Sequence, residues 1–360
     1  MCRLTPNKVA EKGESFMSCY HPLLALDLGP NRDKCEWKGF NGIDGEHRTK
    51  TRFVFIENNE KNRQIPNAVE IPCGKCIGCR LDYARKWANR CKAESQYHDQ
   101  NWFLTITYDD VHLPIGKYGN PTLDPEGMTK FLKRLRKKFG DGIKYFYCGE
   151  YGGQTFRPHY HMILFVCNLN DVVEWFPFIT EEGKQIAITK KSKSGQKLFY
   201  SPELQECWKQ GEIQIGEVSW NSCEYVARYV MKKASPEFAS NVYDILGVHP
   251  EFLRMSRRPG IGFQYYQDHK DVINKTDEIY LPGKDGAIRS NLTGYYRKQQ
   301  IKDNEENGCL DHFDKSLKGF RSGKDHVQAL EKLSGLHNIE NVRAFQENDQ
   351  KRKMLIFTRK

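Results

Sequence analysis

The residues of this chain best suited to chemistry are two histidines one position apart, in the run Arg157-Pro158-His159-Tyr160-His161-Met162-Ile163-Leu164-Phe165. The apolar stretch behind them reads as a β-strand. Side chains alternate faces along a strand, so His159 and His161 point the same way and make half of a metal site. Alone, such a pair reads equally well as two half-exposed strand histidines. Residues 144–150 also read as a strand, and Gly152-Gly153 marks a turn. A hairpin centred on Gln154-Thr155 sets Glu150 opposite His159. Two imidazole nitrogens and one carboxylate, with open coordination positions, suit Mg²⁺ or Mn²⁺ acting as a Lewis acid.

Downstream, Cys223 to Lys233 contains neither Gly nor Pro, and Asn221 or Ser222 can cap it as a helix. Tyr225 and Tyr229 then lie on one face, one turn apart, with Lys233 continuing that face. Arg228 and Lys232 follow each tyrosine by three positions. A tyrosine oxygen can act as a nucleophile and form a covalent intermediate, and nearby cations favour the phenolate and hold a phosphate. Core packing is the competing reading of two phenols at this spacing.

Cys73-x-x-Cys76-x-x-Cys79, beside Gly74 and Gly78, forms a knuckle suited to structural zinc, which needs a fourth ligand. Cys19, His21 and Cys91 are the candidates. No thioredoxin-like βαβ pattern adjoins it to support a redox role; an iron–sulfur cluster or free buried thiols are the other readings.

With 360 residues the chain has room for two or three domains, and its net charge of +10 is compatible with a polyanionic partner. Its 18 Tyr, 20 Phe and 6 Trp supply surfaces on which unpaired bases can stack. No apolar run approaches the ~18–20 residues that cross a bilayer, and the N-terminus lacks a secretory pattern, so no membrane partner is expected. A cytosolic setting makes the 12 cysteines thiols and ligands rather than a disulfide framework.

A His-hydrophobe-His pair followed by Tyr-x-x-x-Tyr resembles the HUH endonuclease superfamily, and Trp102-Phe-Leu-Thr-Ile-Thr-Tyr108 resembles that family's first strand. The match extends to the replication initiators of gokushovirus-type single-stranded DNA phages of the Microviridae. It rests on Pro72-Cys-Gly-Lys-Cys-Ile-Gly-Cys-Arg80, Gly149-Glu-Tyr-Gly, Arg157-Pro-His-Tyr-His161, Tyr225-Val-Ala-Arg-Tyr229 and Ser256-Arg-Arg-Pro-Gly-Ile-Gly262. These lie in order from about Cys19 to about Gly262. The resemblance implies an α+β HUH fold, a central antiparallel sheet flanked by helices, with the histidine strand central, the tyrosine helix across it and an N-terminal cysteine-rich region beside it. It also favours Cys19 as the fourth zinc ligand.

The activity implied is metal-dependent nicking and joining of single-stranded DNA. One tyrosine would form a 5′-phosphotyrosine link and free a 3′-hydroxyl for a host polymerase. The second would cleave the regenerated origin, and strand joining would close a circle. The partners implied are single-stranded or supercoiled phage DNA at the origin, host polymerase and host helicase, in the host bacterial cytoplasm. Phosphodiester exchange needs no nucleotide, and the chain has no Gly-x-x-x-x-Gly-Lys-Ser/Thr loop. A transposase or relaxase shares this chemistry, but a relaxase places its tyrosine before the histidines. A zinc-stabilised single-stranded DNA binder would bind without metal and form no adduct. A cupin-like metalloenzyme needs more strands and a further distant His.

Three regions position these residues: a cysteine-rich segment over 1–98, a catalytic domain over 99–235, and a C-terminal region over 236–360 with a basic loop and charged helices. The pattern predicts helices over 81–98, 125–139, near 202–210 and over 324–353, and strands over 52–56, 102–108, 144–150, 159–167 and 212–218, with a soluble insertion at 180–197. Lys130, Lys133, Arg134, Arg136, Lys137 and Lys138 crowd the 125–139 helix, whose inner face is Phe131, Leu132 and Leu135. Lys130, Arg134 and Lys137 there, with Arg157, Arg228, Arg257 and Arg258, are the expected DNA contacts, a solvated outer face or a simple turn being the plainer readings.

Overall fold

The apolar run after His159 forms a central strand, and the larger part of the fold is built outward from it. In the computed structural model, the residues described are 19–27, 53–165, 168–175, 178–181, 184–187, 197–219, 222–223, 225–227, 242–283, 286–292, 294–306 and 339–358. They fall into two compact units, Tyr83–Asn291 and the residues up to Asp82 together with those from Leu292 on. The strands are β1 (Leu23–Asp27), β2 (Phe53–Ile56), β3 (Ala68–Ile71), β4 (Asn101–Thr107), β5 (Lys144–Tyr151), β6 (Pro158–Phe165), β7 (Val173–Glu174), β8 (Phe178–Glu181), β9 (Lys184–Ala187), β10 (Phe199–Tyr200), β11 (Ile213–Glu217), β12 (Phe252–Met255), β13 (Glu278–Gly283) and β14 (Gly286–Asn291). The helices are α1 (Glu60–Arg63), α2 (Ile77–Ser95), α3 (Pro125–Phe139), α4 (Pro202–Gln205), α5 (Phe263–Thr276), α6 (Gly294–Glu306) and α7 (Ile339–Thr358).

The unit from Tyr83 is organised by a seven-stranded sheet in the order β12-β5-β6-β4-β11-β10-β7, with antiparallel pairing throughout. Helices cover both faces, so the chain is α+β. Every residue of β6 except His159 is buried, as a strand covered on both sides must be. Alternation then sorts its side chains. Tyr160, Met162 and Leu164 join Leu104, Ile106 and Tyr147 on the face covered by α3, through Met128, Phe131, Leu132 and Leu135. Ile163 and Phe165 join Phe146 and Cys148 on the opposite face, covered by Ala84, Trp87, Ala88 and Cys91 of α2 and by Cys223, Val226 and Ala227. Each large side chain so buried contributes roughly 1.5–3 kcal/mol.

The sequence explains the helix placements. Asp124 caps α3 by accepting from the Glu126 and Gly127 amides, and Pro125 sits in its first turn. The tyrosine segment is capped by Ser219, not by Asn221 or Ser222: the Ser222 amide donates to Ser219 Oγ at 3.1 Å, and the Ser219 amide returns to Ser222 Oγ at 2.7 Å. Three further expectations change. The helix near 202–210 is only Pro202–Gln205, the 180–197 insertion contains part of a β8–β9 hairpin, and β12, α5 and the β13–β14 hairpin occupy a stretch with no clear pattern. The expected helix over 324–353 lies outside the described residues up to 338; α7 covers its remainder and runs to Thr358.

The other unit pairs β2-β1-β3 into a small antiparallel sheet, where the sequence offers only the β2 candidate. Helix α7 is tied to it: Arg343 reaches both Glu70 oxygens, at 2.5 and 3.2 Å, Arg63 meets Glu340 at 2.9 Å, and His21 meets Glu347 at 2.8 Å. No helix among the described residues is long and apolar enough to cross a membrane.

Glu94, fully buried on α2, joins α2, β5 and the turn before α5. It accepts from Lys144 Nζ, from the Gly262 amide and from His98 Nε2, each at 2.7 Å. Burial pushes its carboxyl up, but the bonds from His98, Lys144 and Gly262 outweigh burial and hold it below the usual range. The stability this carboxylate supplies is complete above its unfolded value of 4.5 and is lost as pH falls through the lower folded value. Glu94→Ala should therefore cost about 3 kcal/mol at neutral pH by urea unfolding. The gap from wild type should narrow below about pH 4.5; a gap constant with pH would contradict this role.

Candidate metal centre

The β5–β6 hairpin pairs Glu150 with His159 and Cys148 with His161, the register expected from the turn residues. Glu150, His159 and His161 thus share the sheet face covered by α2 and residues 222–227, at the end where that cover stops. Their ligand atoms all lie within 4.8 Å of one another. His159 Nε2 is 2.7 Å and His161 Nε2 is 3.2 Å from Glu150 Oε1. The other ring nitrogens are turned away and held: His159 Nδ1 donates to the Arg157 carbonyl at 3.1 Å, and His161 Nδ1 bonds Thr105 Oγ1 at 3.2 Å. Such outer bonds fix tautomer and ring orientation and aim both Nε2 atoms at one point. Phe103 stacks on His161 with centroids 5.6 Å apart.

Glu150 is 2% exposed. Burial would raise its carboxyl, but the bonds from His159 and His161 prevail and keep it below the ordinary range, hence ionised near neutrality. A buried carboxylate flanked by two imidazoles is a donor set that could hold a divalent ion.

Tyr225 stands beside this group. Its ring meets His161 edge-on at 5.2 Å and Phe103 at 6.1 Å, and it remains 43% exposed. Cys223, Val226 and Ala227 point into the core and leave Tyr225 outward, so the segment's packing selects which side chain faces the open end. Tyr229, Arg228, Lys232 and Lys233 lie outside the described residues.

The hairpin tip holds a feature that the turn glycines do not announce. The positive φ falls on Phe156, at 51°, not on Gly152 or Gly153. Its ring lies parallel to Tyr151 at 4.4 Å, and Gly152 and Phe156 close the turn through backbone bonds. Arg157 anchors the same tip to the loop after β4, with Nη1 to Asp110 at 2.7 Å and Nη2 to the Tyr108 carbonyl at 2.9 Å. Asp109 instead holds His112.

The remaining basic candidates lie elsewhere. Helix α3 covers the sheet face opposite the histidines. Its cations are not all without acidic partners: Lys130 pairs with Glu126 at 3.0 Å and Lys138 with Glu206 at 2.5 Å. Arg134 donates to the Cys207 carbonyl at 2.6 Å, and Lys137 is exposed. Arg257 and Arg258 are exposed in the turn after β12, at the other end of β5 from Glu150.

In the other unit Cys19 joins Cys73, Cys76 and Cys79, with sulfur atoms all within 4.8 Å. Cys91 is packed in the core with Cys223 instead, and His21 engages Glu347. The Cys73–Cys79 and Cys76–Cys19 sulfur pairs are 4.0 Å apart. A tetrahedron with metal–sulfur bonds of about 2.3 Å has edges of about 3.8 Å, so the four thiols are sized for such an ion. Gly74, at φ 72°, makes the turn that brings the Lys75 and Cys76 amides to Cys73 Sγ, at 3.4 and 3.3 Å. Amides of Cys73, Tyr20 and Cys79 donate to Cys19 and Cys76 sulfurs. Hydrogen bonds from Cys19 and Cys79 pull the Cys76 thiol well down, towards the thiolate that ligates metals.

Comparison with known proteins follows the same residues. A family model for replication-associated proteins of the ORF2 type matches residues 101–234, which include β4, β5, β6, β11 and the tyrosine segment. Replication-associated protein ORF2 of Spiroplasma virus 4 is 32% identical over 301 residues, covering 82% of this chain and 84% of that protein. Replication-associated protein VP4 of Bdellovibrio phage phiMH2K is 32% identical over 236 residues, 63% of this chain and 67% of that protein. Replication-associated protein ORF4 of Chlamydia phage 1 is 34% identical over 252 residues, with 67% and 53% covered. No solved structure matches the chain. By the extent and identity of these matches, the chain belongs to the ORF2 family of replication-associated proteins.

Proposed function

We propose that the chain is a phage replication initiator of the HUH endonuclease type, nicking and rejoining single-stranded DNA at the viral origin. The observation that carries this reading is the convergence of Glu150, His159 and His161 on one point with the Tyr225 ring against His161. A divalent ion such as Mg²⁺ or Mn²⁺, held by these three side chains, would supply Lewis-acid polarisation of the scissile phosphate. The chain's own residues do the rest. Tyr225 or Tyr229 gives its phenol proton to solvent and attacks phosphorus through oxygen. The phosphorus–O3′ bond breaks, and the 3′ oxygen takes up a proton and leaves as a hydroxyl. The 5′ phosphate stays on the tyrosine. Arg228, Lys232 and Lys233 balance the phenolate and position the phosphate. A later 3′-hydroxyl reverses the step and closes a strand, so the bond energy is kept and no nucleotide is consumed.

In this reading Arg157 locks the hairpin tip that carries His159, while Lys130, Arg134, Lys137, Arg257 and Arg258 contact DNA away from the scissile bond. Host polymerase and helicase extend and unwind from the released 3′ end, and the host bacterial cytoplasm is the place of action. The four cysteines hold structural zinc, favoured by an all-sulfur set with amide donors to the sulfurs.

The test is a denaturing gel of the full chain with labelled origin-strand DNA. A covalent adduct should form with Mn²⁺ and not with EDTA. His161→Ala should reduce it more than about 100-fold, beyond the ten- to hundred-fold typical of losing only a ligand's outer hydrogen-bond partner. Tyr225→Phe with Tyr229→Phe should abolish it. DNA binding without an adduct under any metal would replace this reading with that of a binding protein. Elemental analysis of the purified chain should also return one zinc, absent from Cys76→Ser; a zinc-free native chain would refute the structural-zinc assignment.

A further inference from the structure

A second site lies at the end of the sheet away from the metal centre. There α3, the start of β5 and the turn after β12 enclose a cleft of about 550 Å³. Four guanidinium groups line it, Arg136, Arg254, Arg257 and Arg258, against the single carboxylate of Asp141. Lys144 also lines it, but its ammonium is already engaged by Glu94 at 2.7 Å. No carboxylate among the described residues forms an ion pair with any of the four arginines. Arg254, Arg257 and Arg258 are exposed on the rim. Arg136 lies 5.7 Å from the centre of the Tyr145 ring, which lines the same cleft.

The walls are fixed. The Ser256 amide donates to the Tyr145 carbonyl at 2.9 Å, and the Tyr145 amide returns to Ser256 Oγ at 3.0 Å. Arg257 bridges to Gly260 across the tight turn. Along β5, Tyr145 and Glu150 are about 16 Å apart at roughly 3.3 Å per residue. A phosphate held here is therefore not the scissile one.

We infer that this cleft is a second DNA site, one that grips the phosphodiester backbone of a single strand independently of the metal centre. Four forked guanidinium groups of one sign match successive phosphate oxygens, and the adjoining tyrosine offers a base a stacking face. The exposed rim suits a chain of phosphates running through the cleft rather than one enclosed anion. The inference rests on the chain acting on DNA, as proposed above, and not on the cleavage chemistry.

The test is fluorescence anisotropy of a labelled, unstructured oligo-dT with the full chain in EDTA, where no cleavage can occur. The triple variant Arg254→Gln, Arg257→Gln, Arg258→Gln should bind at least ten-fold more weakly. Its slope of log affinity against log salt should shrink by about two, at roughly 0.7 per lost contact on a single strand. A charge-matched control, Lys270→Gln, Lys275→Gln, Lys298→Gln, should lose less than three-fold. Equal losses in the two triples, or an unchanged slope, would overturn the site. Deoxynucleoside triphosphate should compete only at millimolar concentration; displacement at micromolar concentration would instead make the cleft a nucleotide pocket and refute the strand assignment. The adduct assay reads the metal centre separately: a chain that forms no adduct yet shows the ten-fold split keeps this site and loses the nuclease reading. An adduct-forming chain without the split does the reverse.

Discussion

The pairing of Glu150 with His159 across the β5–β6 hairpin is the constraint on which the site depends. Side chains along a strand alternate, so a slip of one residue would turn the carboxylate away from the imidazoles and bury it against α3. That register is held from both sides of the sheet. Tyr160, Met162 and Leu164 can only face α3, and Ile163 and Phe165 can only face α2, so His159 and His161 have one orientation open to them. The hydrophobic core thereby sets the geometry of a polar site.

The cover on the histidine face also makes the site usable. Helix α2 and residues 222–227 bury the part of the face that carries Phe146, Cys148 and Ile163, and end where Glu150, His159 and His161 begin. A carboxylate at 2% exposure meets an imidazole and a phenol that solvent can reach. Low exposure strengthens the interactions of the carboxylate with its partners, while the open rim leaves room for a strand of DNA. Glu94 serves the same arrangement from below, tying α2 to β5 and to the turn before α5.

The site was readable in the sequence because its information is local. A two-residue period places His159 and His161 together, a turn signal just before them folds Glu150 onto them, and the 225–227 segment shows its helical character through the absence of Gly and Pro. The rest depends on distant pairings. Strand β12 is four residues set between a proline and an arginine turn, and only its place beside β5 makes it a strand. The β1 and β3 strands are equally short, and the ion pairs from α7 to Glu70, Arg63 and His21 join residues 273 to 326 positions apart. Phe156 takes the left-handed conformation beside two glycines that do not, because stacking on Tyr151 fixes its ring. Which of the α3 cations face acidic neighbours was likewise set by Glu206, far along the chain.

The central claim is that three side chains, brought together by one hairpin register, form a metal centre. It is tested most directly by electron spin echo measurements on Mn²⁺ bound to the full chain. Two imidazole nitrogens should couple to the manganese in the wild type, and one in His159→Ala. A manganese spectrum without nitrogen coupling in the wild type would contradict the account, because the ion would then lie away from β6 and the histidines would serve the fold alone.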